Sequence, residues 1–164
     1  MSQLDDLVKF IKSHVPEQLM QEFDNWMDEP ELIASHKGLG LDQRRLGVLT
    51  YEGVLSWDRF PFAIYDPQIL FALILVWLAN NSREGNFTLK APVIDLEQID
   101  DKVAGLTIRL GLADEICVSV DEKGSIPFDG QSWSISSPII WTAESAQIFS
   151  ADNVGANVTG SESD

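Results

Sequence analysis

Four carboxylates crowd one short stretch of the chain, Asp95, Glu97, Asp100 and Asp101, and hard cations such as magnesium or calcium bind clusters of this kind. The spacing argues against a built site. It lacks the calcium-loop pattern with its sharp-turn glycine, and no phosphate-cradling loop accompanies it. A solvated acidic loop accounts for the stretch more simply. His14 and His36 each lack the spaced second ligand that a zinc site needs. Cys117 alternates with apolar neighbours, which makes it a packed or sheet-face thiol rather than a nucleophile. No serine occupies a Gly-x-Ser-x-Gly elbow. These residues point away from an enzyme and ask for no metal or other cofactor.

The composition narrows the class further. A chain of 164 residues, 45% hydrophobic, is long enough for one domain with a sizeable core. Its net charge of −15, from 26 acidic against 11 basic residues, repels phosphate backbones, so direct nucleic-acid binding is not expected. The same charge suits a surface that meets a more basic protein. A single cysteine excludes an internal disulfide and fits folding in a reducing compartment. The first ten residues, with Asp5 and Asp6, do not read as a signal peptide.

The element that must organise the rest is DPQILFALILVWLANN, Asp66 to Asn81. Asp66 can cap a helix whose first position is Pro67, where a missing N–H costs nothing. Ile69 to Ala79 leaves hardly any polar face, which predicts a helix buried all round. That run is about 11 residues, where a membrane span needs about 20. Upstream, Leu4, Leu7, Val8 and Ile11 repeat at helical spacing, giving a short amphipathic helix ended by His14 to Pro16. Glu17 to Glu29 fits either a helix, through Leu19, Met20, Phe23, Trp26 and Met27, or a short extended segment between prolines. His36 to Gly40 reads as a flexible turn, with the next element starting near Gln43.

Arg44 to Trp57 is the clearest strand, apolar on both faces and therefore central or covered by a partner. Gly47 and Gly53 within it mark a bulge or a close approach. Phe87 to Ile94 reads as extended and, because of Pro92, as an edge. Leu106–Leu110 and Ile116–Val120 alternate as two half-buried strands. A turn at Asp121 to Gly124 leads to a brief strand over Ser125 to Phe128. From Gly130 the apolar residues Trp133, Ile135, Ile139, Ile140, Trp141, Ile148 and Phe149 are scattered among serines without a period. This predicts an arm lying on an adjacent subunit or another protein. Past Ser150 the composition cannot offset the entropy of ordering by itself. The implied division is a core domain over 1–129, an extended arm over 130–149 and a flexible acidic tail over 150–164.

YEGVLSW, DPQILFALILVWLANN and APVIDLEQIDDKVAGLTIRLGLADEICVSVDEKG, taken in order, resemble the tail completion protein R (GpR) family of contractile-tailed bacteriophages. The shared pattern is a long strand after an aromatic, an apolar helix ending in Trp77-Leu78, an acidic segment, then a strand and an Asp/Glu–Gly turn. It covers roughly Leu4 to Phe128. The resemblance implies an α+β, tail-terminator-like fold: an antiparallel β-sheet packed against two helices, followed by the C-terminal arm. It further implies a structural virion protein of the phage tail, assembled in the host cytoplasm. There it would form a hexameric ring that caps the head-proximal end of the tail tube, ends tail assembly and joins the tail to the neck. It also favours an extended Gln18 to Asp28. The expected partners are further copies of the chain and the tube, sheath and neck proteins, with no membrane. Trp133 to Phe149 and the acidic Asp95, Glu97, Asp100 and Asp101, with Asp121 and Glu122, are the candidate contact residues. The competing readings are a neck or head-completion connector, an acidic cytosolic adaptor and, resting on Asp95 to Asp101 alone, a carboxylate-dependent metal hydrolase.

Overall fold

A computed structural model describes residues 2–81 and 89–136. In chain order they form helix α1 (Gln3–His14), a single 3-10 turn at Glu17–Met20, strands β1 (Phe23–Gly40) and β2 (Gln43–Phe60), helix α2 (Pro67–Asn80), and strands β3 (Val93–Gln98), β4 (Ala104–Val120), β5 (Ile126–Phe128) and β6 (Gln131–Ser136). The six strands make one antiparallel sheet in the order β1-β2-β4-β6-β5. β4 is long enough to hold two neighbours on its far side, β3 along Ala104–Arg109 and β6 along Cys117–Val120. The class is α+β, with the sheet backed by two helices.

β2 is central, between β1 and β4, as its two apolar faces require. On one face Tyr51, Leu55 and Trp57 join Leu106, Ile108, Leu110 and Leu112 of β4. Both helices cover that face, α1 through Leu4, Leu7 and Ile11, α2 through Leu70, Ile74 and Trp77. The start of α1 is fixed by a capping box, in which Ser2 and Asp5 satisfy each other's backbone N–H groups. It is also clamped onto the sheet. The Gln3 N–H donates to Asp114 Oδ1 at 2.7 Å, the Ala113 N–H donates to Gln3 Oε1 at 3.2 Å, and the Leu4 N–H donates to the Tyr51 hydroxyl at 3.2 Å. Burial, with Asp114 beside it, pushes the Tyr51 hydroxyl well above the ordinary phenol range, so it stays protonated. α2 is tied to α1 by Trp77 Nε1, which donates to Asp6 Oδ2 at 2.9 Å.

Several elements differ from what the residues alone predict. Gln18 to Asp28 is extended only from Phe23; before it, Glu17–Met20 makes one helical turn. His36 to Gly40 is no turn but the end of β1, and the chain reverses over Leu41 and Asp42, both with positive φ (53° and 59°). A two-residue hairpin turn of that conformation favours Asn, Asp or Gly, and a leucine in it masks the signal. The two strands predicted over 106–120 are one continuous strand, β4. Asp95 to Gln98 belong to β3 rather than to a loop. Gln131–Ser136, at the start of the predicted arm, are a strand paired with β4 and β5.

Gly47 and Gly53 of β2 and Gly111 of β4 mark close approaches. A Cβ on Gly53 would meet Leu112 Cδ1 at 2.8 Å and Leu4 Cδ1 at 3.2 Å. At Gly111 the obstacle is backbone, since the Leu89–Lys90 segment crosses directly over it and the Gly111 N–H donates to the Lys90 carbonyl at 2.9 Å. Gly111→Ala is therefore expected to cost about 1–3 kcal/mol, because main chain has to move aside. Chemical denaturation against Gly105→Ala, a position with no contact closer than 3.9 Å, checks it.

Candidate assembly surface

α2 corrects the expectation that a helix apolar all round is buried all round. Leu70, Ile74 and Trp77 face the core, whereas Ile69, Leu75 and Val76 are 48%, 60% and 49% exposed. Beside α2 runs β3, all six residues of which are exposed, including Val93, Ile94 and Leu96. Between them lies a groove of about 170 Å³ lined by Phe71, Ile74, Leu75, Pro92, Ile94 and Ile108, almost wholly apolar. The uniform hydrophobicity of 69–79 thus comes from two sources, a core face and a second face open to whatever covers it.

The acidic residues lie away from this groove. Asp95 and Glu97 alternate with Ile94 and Leu96, so they lie on the opposite face of β3, in a shallow polar groove with Ser56, Asp58 and Thr107. Asp100 acts within its own turn, where its Oδ1 accepts from the backbone N–H groups of Lys102 (2.7 Å) and Val103 (2.8 Å). Those two bonds, with a smaller contribution from Arg59, hold its carboxyl below the ordinary aspartate range. A depressed carboxyl stabilises the turn above its unfolded-state pKa and loses that contribution as pH falls through its folded value. A carbon-detected NMR titration is expected to show Asp100 protonating below a model aspartate, and Asp100→Asn to remove the difference. Asp101 is exposed at the same turn. Among the described residues no three His, Cys, Asp or Glu side chains gather closely enough to hold a metal ion.

The remaining acidic residues of that sheet face are partly paired. Arg109 reaches Asp28 at 3.4 Å and Glu52 at 3.2 Å, and Lys90 reaches Glu52 at 3.6 Å and Glu29 at 3.7 Å. With Arg109 and Lys90 well exposed, such pairs contribute about 0–1 kcal/mol each.

Of the apolar residues predicted to meet a partner, Trp133 is covered by its own chain. Its indole donates to the Phe128 carbonyl at 2.7 Å, and the Arg44 guanidinium lies 5.4 Å from the Phe128 ring centre and 6.0 Å from that of Trp133. Ile135, on the same strand, is 68% exposed. Ile139, Ile140, Trp141, Ile148 and Phe149 lie outside the described residues, as does the predicted tail over 150–164. Cys117 is buried on β4, His14 lies tilted against Phe10, and His36 stacks on Phe128. Residues that pattern reading missed are Leu32 and Leu41 on the β1–β2 hairpin, each about two-thirds exposed. No periodicity distinguishes an apolar residue on an edge strand or turn from one in a core.

The described residues thus expose an apolar groove between α2 and β3 and, on the other face of β3, a row of carboxylates. The kind of protein follows from comparison with known families. The P2 phage tail completion protein R (GpR) family matches residues 1–138, and the chain belongs to that family. It is also 22% identical over 143 residues, 87% of this chain and 86% of the other, to a protein of Haemophilus phage HP1 (strain HP1c1) described as an uncharacterized 19.2 kDa protein in the rep-hol intergenic region. No solved structure matches the chain. It is accordingly a phage tail completion protein, and no described helix is long and apolar enough to cross a membrane.

Proposed function

We propose that this chain forms a ring, hexameric by the resemblance, that caps the head-proximal end of a contractile tail tube, stops its elongation and presents a platform to the neck. It acts as a structural part of the virion and carries out no catalysis. The observation that supports this reading is the outer face of α2 with β3. Ile69, Leu75, Val76, Ile94 and Leu96 form more exposed apolar surface than isolated surface residues explain. A subunit in a closed ring needs such surface on two sides, because each head-to-tail contact joins unlike patches. The residues beyond Ser136, with Ile139, Ile140, Trp141, Ile148 and Phe149, add contacts to a neighbouring copy or tail protein. The acidic residues Asp95, Glu97, Asp100 and Asp101 meet the more basic tube, sheath or neck protein.

The test is genetic and visual. Removing the chain from its phage is expected to give tails of uncontrolled length, or tails that fail to join heads, in electron micrographs. A tag on the chain is expected to label the head-proximal tail end. A label at the portal instead would support the neck-connector reading, and normal tails without the chain would overturn both.

A further inference from the structure

We propose that β3 of one copy pairs edge to edge with the distal half of β1 of a second copy, so that the sheet continues from subunit to subunit. The inference deepens the ring reading and rests on it. β1 and β3 are edges on opposite sides of the sheet, and no other described strand pairs with the outer side of either. Pro92 just before β3 and the carboxylates of Asp95 and Glu97 within it restrict which strand can pair with its outer edge. All six residues of β3 are exposed, with Ile94 and Leu96 on the helix-covered side of the sheet and Asp95 and Glu97 on the other. An unpaired edge is a template for another strand, and here its carboxylates favour one that offers a cation over one that offers acids.

Charge selects which half of β1 it receives. Trp26 pairs with Val54 and Asp28 with Glu52, which places Asp24, Trp26 and Asp28 on the sheet face that Asp95 and Glu97 share. Pairing β3 with that half would set four carboxylates side by side, and like charges across strands destabilise. From Leu32 to Gly40 the sequence is LIASHKGLG, without an acidic residue. There Leu32, opposite Leu49, extends the apolar side towards Ile94 and Leu96, while Lys37, opposite Arg45, brings a cation to the side of Asp95 and Glu97. Strands in closed sheets tilt by about 35–45°. Across the four strands from β1 to β3 that tilt staggers a neighbour by several residues, enough to carry β3 past the acidic half of β1.

Paired cysteines in assembled tails test the contact, the only native cysteine, Cys117, being buried. Under mild oxidation Ser35→Cys with Asp95→Cys is expected to link copies into a ladder, and Trp26→Cys with Asp95→Cys is not. Lys37→Glu alone, and Asp95→Lys with Glu97→Lys, are each expected to reduce completed tails about tenfold or more, and the triple variant to recover to within about threefold of the wild type. Tails that carry the ring but show no Ser35–Asp95 ladder and no charge rescue would overturn this contact and leave the ring standing. Tails without a ring of this chain at all would overturn both.

Discussion

Trp57→Ala is expected to lower the unfolding free energy by about 3–5 kcal/mol, the range found for emptying a buried aromatic site. Trp57 is 1% exposed in the middle of the core. Its ring lies 4.7 Å from that of Phe23 and 5.8 Å from that of Phe60, so it joins the start of β1 to the end of β2. Its Nε1 also donates to the Leu19 carbonyl at 3.0 Å, anchoring the single helical turn before β1. Alanine would leave a void too apolar to hold water and a carbonyl without its donor. Trp57→Phe keeps most of the ring and loses only the hydrogen bond, so about 1–2 kcal/mol is expected. Against a total stability of about 5–15 kcal/mol, the alanine variant is marginal and the phenylalanine variant is not. Urea unfolding followed by circular dichroism measures both, and a loss below about 1 kcal/mol for Trp57→Ala would contradict the packing described.

The second large effect falls on assembly and leaves the fold alone. Leu75→Lys with Val76→Glu is expected to leave the melting temperature within about 3 °C of the wild type, since both side chains point away from the core. The same pair is expected to lower the yield of completed tails at least about a hundredfold, because apolar anchors at a contact centre carry about 2 kcal/mol or more each. The companion variant Ile74→Lys, at a buried position on the same helix, is expected to unfold the protein. A double variant that folds and completes tails normally would remove α2 from the contact. A double variant that unfolds would show its outer face to be covered within the subunit.

Much of the architecture is legible in the residues because it follows from local chemistry. Asp66 caps α2, Pro67 opens it, and the two apolar faces of β2 place that strand between neighbours. What escapes such reading is non-local. Asp95 and Glu97 look like loop residues, yet pairing with Thr107 and Gly105 makes them strand residues. Leu41 is a poor residue for a left-handed turn, which hides the hairpin reversal. Trp133 looks unpartnered along the chain because the Arg44 that covers it comes from a distant strand. The apolar surface is half legible. The hydrophobic run of α2 announces that water is a poor neighbour, but only the packing of α1 and β4 shows which side the core takes.

The β1–β2 hairpin is a local pairing of the sheet and is expected to form before β4 joins it. Its two 18-residue strands close over two residues, and a hairpin of this kind zips in about 1–10 μs. β4 has no such local route. It must return across the whole α2 segment before it can pair with β2, and that loop closure is slow relative to hairpin formation. Until it arrives, Val48, Val54 and Leu55 stand on a ribbon with one side unpaired, a species prone to stick to its own kind. Newly made copies at high concentration therefore face a choice between intramolecular completion by β4 and premature association through the same ribbon.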